Sequence, residues 1–269
     1  MPSGYGLEAH LKSRLMQGRK LLVPYLTCGL PTPQEFLEVF GSLAGWADAI
    51  EVGIPFSDPV MDGPVIQASS MRALESGITL EVCFELIDEA RRRAQVPAVV
   101  MTYFNPIHRK GVRDFTAWLS KSGVGGLIVP DLPYEEAGDL AGHLSDAGVA
   151  HIQMVAPSTS EERAAMLASA SRGFVYAVSR LGVTGEQESL ASAAAKVVGR
   201  IRPHTDVPVL LGIGIGTPAQ AREASQIADG VIVGTAVVKR VVDGDLLGAA
   251  TLIRQMRESV DGIGSQAIT

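Results

Sequence analysis

A pattern of short, continuous apolar runs alternating with amphipathic stretches recurs eight times along the chain, and it constrains the fold more than any other feature. The runs span residues 21–27, 49–54, 98–103, 126–129, 151–156, 173–179, 207–211 and 230–233. Each is apolar throughout rather than at every second residue, as expected of parallel strands covered on both faces. The segments between them carry helix signals. Thr32-Pro33-Gln34-Glu35, Thr159-Ser160-Glu161-Glu162 and Thr217-Pro218-Ala219-Gln220 each fit a capping box, and two of these have proline at the first helical position. A helix expected from Glu135 has one apolar stripe (Ala137, Leu140, Ala141, Leu144, Ala147) and should stop at Gly148. A short helix is also expected over residues 6–16. Eight alternations in 269 residues match an α/β fold, a single (β/α)8 TIM barrel domain spanning 1–269. A doubly wound sheet would use fewer strands and a different ligand fingerprint.

Composition narrows the function. The formal charge of −6 and pI near 5.4 argue against a partner with a phosphate backbone, because the longest basic cluster is Arg91-Arg92-Arg93, within an expected helix. No window approaches the eighteen or so apolar residues of a membrane span, and the first twenty residues lack the apolar core of a signal peptide. A soluble, cytoplasmic protein is expected. The two cysteines have no metal-ligand spacing: Cys83 falls on the apolar stripe of a helix starting near Thr79, and Cys28 follows a strand end, where it could line a pocket. The five histidines show no H-x-x-H or H-E-x-x-H spacing, so no protein-held metal is expected.

In a (β/α)8 barrel the carboxyl ends of the strands converge on one mouth. They would bring together Tyr25, Glu51, Tyr103, Asp131, Tyr176, the loop around 182–185, the glycines of 212–216 and the pair Gly234-Thr235. The last two groups follow strands seven and eight, where barrels most often bind phosphate through backbone N–H groups. As a nucleotide fingerprint G-x-G-x-x-G fails in both registers here, and Gly216 before Thr217-Pro218 could be simply a turn. Residues 179–189, SRLGVTGEQES, could act as a lid after the sixth strand.

The stretch EVGIPFSDPVMDGPVIQ, residues 51–67, is where acid–base chemistry would sit. Glu51 interrupts an apolar strand, and burial would raise its pKa from about 4.3 toward the range where it can both donate and accept a proton. The plainer alternative is a pairing with an arginine or a loop amide. Asp62, eleven residues on, precedes Gly63-Pro64 and fits a helix N-cap as well as it fits catalysis.

These residues resemble the alpha-chain family of tryptophan synthase. The likeness runs through VPYLTCGLPT at 23–32, EVGIPFSDPVMDGPVIQ at 51–67, MTYFNPI at 101–107, VPDLPYEE at 129–136, APSTS at 156–160, YAVSRLGVTG at 176–185, GIGIGTP at 212–218 and VGTAVVK at 233–239. The resemblance implies a lyase that cleaves indole-3-glycerol phosphate to indole and glyceraldehyde 3-phosphate by a retro-aldol reaction. Glu51 would be the catalytic acid/base, Asp62 the carboxylate on the indole N–H, and Tyr176 a tyrosine beside the glutamate. Thr184 would close from the lid onto Asp62. Gly185, Gly212, Gly214, Gly234 and Thr235 would serve the phosphate, and Tyr25, Tyr103 and Ile213 the indole pocket. The resemblance also implies a pyridoxal-phosphate beta chain in an αββα assembly, with Asp58, Pro59, Asn105, Pro106 and Pro133 facing it and the cofactor on that partner.

Three departures from the family pattern stand out: Met61 where alanine is common, Thr235 where serine is, and Ile213 where phenylalanine is. None removes a required chemical group. Other readings are a freestanding indole-releasing lyase, a non-catalytic regulatory barrel subunit, and another sugar-phosphate barrel enzyme. The last would be expected to carry a strand-end lysine, and the sequence has none.

Overall fold

A computed structural model describes residues 6–178, 190–212 and 214–262. Its strands are β1 (Leu21–Thr27), β2 (Ile50–Gly53), β3 (Ala98–Met101), β4 (Gly126–Ile128), β5 (Ala150–His151), β6 (Gln153–Val155), β7 (Val175–Val178), β8 (Val209–Gly212) and β9 (Gly230–Val233). All pairings are parallel, in the order β5-β4-β3-β2-β1-β9-β8-β7-β6. The two ends of that order, β5 and β6, are separated in the chain by Ile152 alone, so the sheet closes into the expected eight-membered ring.

The fifth expected strand, 151–156, is therefore split. Its first half pairs with β4 and its second with β7. Where it changes neighbours, the Ile152 N–H still reaches Leu127 O at 3.0 Å, but the Gln153 N–H goes to the Ser171 hydroxyl at 3.0 Å, which interrupts the ladder.

The helices are α1 (Gly6–Met16), α2 (Pro33–Ala44), α3 (Pro64–Glu75), α4 (Leu80–Arg93), α5 (Phe104–Lys110), α6 (Val112–Lys121), α7 (Gly138–Ala147), α8 (Glu161–Ala170), α9 (Leu190–Ile201), α10 (Pro218–Ile227), α11 (Thr235–Val242) and α12 (Leu246–Val260). Their start signals work as chemistry requires, with one shift. Thr217 and Gln220 form a reciprocal capping box on α10, and Thr32 accepts the Glu35 N–H on α2. On α8 the cap is Ser160, not Thr159, whose hydroxyl instead accepts the Ala156 N–H. The helix expected from Glu135 begins as a 3-10 turn and becomes α-helical at Gly138; it ends at Gly148, whose φ of 69° suits glycine.

Alternation along the strands sorts the core into two layers. Leu22, Leu26, Ile50 and Val52 point outward and pack under the helices with Phe36, Phe40 and Phe115. Cys28 and Cys83 belong to this outer layer and are fully buried, so Cys28 lines no open pocket. Leu21, Val23, Ala49, Val99, Ile128, Phe174, Tyr176, Leu210 and Ile232 fill the interior, and Leu7 and Leu11 of α1 join them from the amino-terminal end. Glycine makes that seat possible, since a Cβ on Gly125 or Gly126 would lie 3.0 Å from Leu7. The interior of the barrel is thus plugged at its amino-terminal end.

Candidate active site

Glu51 lies in the middle of β2, with Tyr25 of β1 and Val99 of β3 as its register partners. Because Ala49 faces the interior, so does Glu51, which is 1 % exposed. Its Oε2 is buried without a hydrogen-bond partner, and no arginine or lysine pairs with it among the described residues. Among the described residues, then, this acid is not one half of an ion pair. Burial, reinforced by the negative charge of Asp62, pushes the Glu51 pKa up to about 8.

Two residues before β2 begins lies a second buried acid, Asp48, treated in the opposite way. Asp48 is fully buried at the amino-terminal end of the ring, where Arg14, Arg19 and Arg257 approach it at 3.5, 3.0 and 3.1 Å. It also accepts the Leu22 N–H at 2.9 Å. A compensated acid at one end and an uncompensated one toward the other separates a structural carboxylate from a candidate reactive one.

Asp62 does not cap α3. The N-cap is Gly63, which offers no side chain, and the Asp62 carboxylate turns toward the mouth. There its Oδ2 accepts the Tyr103 hydroxyl at 3.2 Å, while the Tyr103 oxygen accepts the Met61 N–H at 3.0 Å. Partial burial raises the Asp62 pKa to about 6, against the lowering effect of the Tyr103 hydrogen bond. Tyr103 was expected inside a strand, but β3 ends at Met101 and Tyr103 is the N-cap residue of α5. Its ring stacks on Phe56 at a centroid distance of 5.0 Å, which braces it beneath the loop carrying Asp62. Asp131 is used locally, accepting the Phe104 N–H at 2.9 Å.

Tyr25 and Tyr176 complete the cluster. Both are buried, and burial followed by nearby acid charge holds their hydroxyls well above the usual tyrosine range. Asp62 and Glu51 act on both phenols, which ties β1, β2, β7 and the β2–α3 loop into one electrostatic site. Two glycines make room for the rings. A Cβ on Gly53 would fall 1.9 Å from Tyr25 Oη, and one on Gly212 would fall 2.4 Å from Tyr176 Oη. Gly212 thus has a packing reason to be glycine beside any role toward phosphate.

Gly234 lies next to Tyr25, whose Cβ would be 3.8 Å from a Cβ built at that position, and Gly234 is the N-cap of α11 with Thr235 as its first residue. The first turn of such a helix leaves N–H groups outside the helical ladder, aimed where an anion can sit. Gly214 adopts a φ of 85°, which only glycine reaches readily. The Gly216 N–H is already taken by Gln220 Oε1 at 2.9 Å, so Gly216 acts as the turn into α10. Thr184, Gly185, Ile213 and the whole 179–189 lid expectation lie outside the described residues. Among the described residues, no three His, Cys, Asp or Glu side chains gather as a metal site would require.

Of the five residues expected to face a partner, Asp58, Asn105 and Pro133 are exposed and Pro106 is half-buried. Pro59 is buried and does not reach the surface. These residues follow β2, β3 and β4, three neighbouring strands, so they lie on one side of the mouth. Sequence reasoning missed two contributors, Phe56 beneath Tyr103 and Gln67, whose side chain donates back to the carbonyls of Pro59 and Asp62. The only signal for Gln67 was its place at the end of the 51–67 stretch.

Comparison with known proteins agrees with this geometry. The family model described as tryptophan synthase alpha chain matches residues 11–263. Among curated relatives, the tryptophan synthase alpha chain of Streptomyces coelicolor is 42% identical over 262 residues, covering 95% of this chain and 97% of the relative. That of Synechococcus elongatus is 40% identical, covering 91% and 93%. Among solved structures, a tryptophan synthase from M. tuberculosis in its aminoacrylate- and BRD0059-bound form superposes with a TM-score of 0.87 at 36% identity, covering 96% of this chain and 98% of that one. The alpha chain from Legionella pneumophila gives 0.87 at 31% identity, covering 97% and 98%.

Proposed function

The chain belongs to the tryptophan synthase alpha chain family, and from that premise we propose that Glu51 and Asp62 together carry the retro-aldol cleavage of indole-3-glycerol phosphate. The observation that carries this reading is the buried Glu51 carboxyl, whose Oε2 has no hydrogen-bond partner, set in one site with the Asp62 carboxylate that Tyr103 holds. With pKa values of about 8 and about 6, Glu51 holds a proton at neutral pH while Asp62 has mostly lost its own.

The reaction asks for that pair. Indole leaves only after its ring carbon C3 gains a proton, which places positive charge on the ring nitrogen. The hydroxyl on the carbon attached to C3 must then lose its proton as the carbon–carbon bond breaks. The bonding electrons return to the ring, and the hydroxyl-bearing carbon becomes the aldehyde of glyceraldehyde 3-phosphate. Protonated Glu51 can supply the first proton and, as carboxylate, take the second. Ionised Asp62 can accept the indole N–H and stabilise the charge that develops there. Tyr176 and Tyr25, with Tyr103, would wall the ring, while the amides at Gly214, Gly234 and Thr235 would hold the phosphate. Gly212, Ile213 and Gly185 are assigned to the same substrate site, and Thr184 to the lid above Asp62.

The site sits in one barrel, and we take the chain to be a single domain. By membership of the family we assign it a beta-chain partner in an αββα assembly, docked over Asp58, Asn105, Pro106 and Pro133, with Pro59 supporting that surface from beneath. Pyridoxal phosphate is assigned to the partner. No helix among the described residues is long and apolar enough to cross a membrane, in keeping with the cytoplasmic location we assign.

The test is indole release from indole-3-glycerol phosphate by the purified chain, alone and with a tryptophan synthase beta chain. Slow release that rises strongly with the partner supports the subunit reading. Fast release unaffected by the partner supports a freestanding lyase, and no release in either condition contradicts the proposal.

A further inference from the structure

Ten residues, 54–63, connect β2 to α3 without regular secondary structure, and Asp62 is next to last among them. Val60 and Met61 immediately before it are 76 % and 63 % exposed, so packing does little to hold this part of the loop. Something else must fix the Asp62 backbone if its carboxylate is to meet a substrate reproducibly.

Besides the Met61 N–H that Tyr103 Oη accepts at 3.0 Å, two sets of contacts do so. Within the loop, the Asp62 N–H donates to Pro59 O at 3.0 Å and closes a tight turn. From outside it, Gln67 Nε2 donates to Pro59 O at 3.2 Å and to Asp62 O at 2.9 Å. Gln67 lies one turn into α3, and its own N–H makes the first helical bond, to Gly63 O at 3.0 Å. One carboxamide therefore fastens both ends of the Pro59–Asp62 turn to a rigid helix. The orientation of the amide is dictated by its partners, since both are carbonyl oxygens and only the NH2 group can serve them. The N-cap of α3 is Gly63, whose lack of a side chain leaves no competing tether at this point.

We infer that Gln67 is a positioning residue for the reaction: it holds the turn from which Asp62 reaches the indole nitrogen. This inference rests on the assignment of Asp62 to the reaction. Tyr103 acts on the carboxylate and on the Met61 N–H before it, and Gln67 acts on the Pro59 and Asp62 carbonyls of the turn that carries it.

The test is a double-mutant cycle on indole release, with Gln67→Met and Asp62→Asn, and Gln67→Leu as a second variant should the first fold poorly. Methionine keeps the length and flexibility of glutamine and removes both donors. In the wild-type background Gln67→Met should lower kcat about tenfold with KM nearly unchanged, as expected for loss of orientation. In the Asp62→Asn background it should cost less than about twofold, because the group it orients is gone. A carbon-13 NMR titration of the Asp62 carboxyl gives a readout independent of turnover, and its midpoint should move in Gln67→Met. Equal losses in both backgrounds, or an unmoved Asp62 titration, would overturn the inference alone. Near-normal turnover by Asp62→Asn would instead remove Asp62 from the reaction, and the inference with it.

Discussion

Tyr103 and Asp62 share a hydrogen bond of 3.2 Å in which the phenol donates to Oδ2, and the same phenol oxygen accepts the Met61 N–H at 3.0 Å. The tyrosine therefore both lowers the energy of the ionised carboxylate and ties it to its own loop. Burial works against it, leaving Asp62 at about 6. Tyr103→Phe should raise the Asp62 pKa further, so that the acid limb of the kcat profile for indole release moves to higher pH. Turnover at pH 6 should fall by more than turnover at pH 8. An unmoved limb would mean that Asp62 does not set it.

Glu51 ties stability to pH. The unfolded chain ionises this glutamate near 4.5, whereas the folded chain keeps it protonated up to about 8. Between those values the folded state binds more protons, so its stability is fully present below pH 4.5 and is lost as pH rises through 8. At about 1.4 kcal/mol per pH unit, the loss reaches on the order of 3–5 kcal/mol. Glu51→Gln removes this contribution. In urea titrations the variant should match the parent near pH 4.5 and exceed it by a few kcal/mol at pH 8.5. Parallel stability curves would show that the carboxyl is not the uncompensated group.

Asp48 should behave as the structural counterpart of Glu51. Asp48→Ala takes from Arg257, whose side chain is 4% exposed, one of its two carboxylate partners, leaving it Asp261 and the Lys20 carbonyl, and leaves Arg14 and Arg19 without their shared partner. Removing one member of a buried charge cluster typically costs about 3–5 kcal/mol, and the partial exposure of Arg14 and Arg19 puts the expectation near the lower end. Urea denaturation measures it. The kcat of the folded protein should be unchanged, because this cluster lies at the plugged end of the barrel. A cost below about 1 kcal/mol would contradict the assignment.

Gly53 and Gly41 make a matched pair. A methyl at Gly53 collides with the Tyr25 ring, while one at Gly41, within α2, meets nothing within 4 Å. Gly53→Ala should destabilise by about 1–3 kcal/mol and impair turnover by moving Tyr25. Gly41→Ala should stabilise by about 0.5–1 kcal/mol without touching activity. Thermal melts and indole release on the two variants check both.

The ring of strands was legible because each strand is a continuous apolar run, which a parallel barrel requires and little else produces. Glu51 was legible for a related reason, as one charge inside such a run. Asp62 was only half legible: Asp-Gly-Pro can start a helix from either of its first two residues, and the choice of Gly63 is made by where Gln67 and Tyr103 pull the loop. Tyr103 itself reads as strand, since VVMTY is uniformly β-forming, and only the end of the ladder at Met101 places it on α5. The Asp48 cluster was invisible, because Arg257 stands 209 residues away and nothing local announces the pairing. Tertiary contacts between distant segments leave no trace in periodicity.

The measurement that tests the central claim most directly is the rate of indole release from indole-3-glycerol phosphate at neutral pH by the parent and by Glu51→Gln, in the presence of a beta chain. Glutamine keeps the size of the side chain and loses the transferable proton. The parent should turn over, while the variant should stay folded and lose at least about a hundredfold in kcat, as general acid–base catalysis contributes. A folded Glu51→Gln protein with near-parental turnover would contradict the account, because an acid that is buried on the inner wall, and unpaired among the described residues, would then have no part in the chemistry.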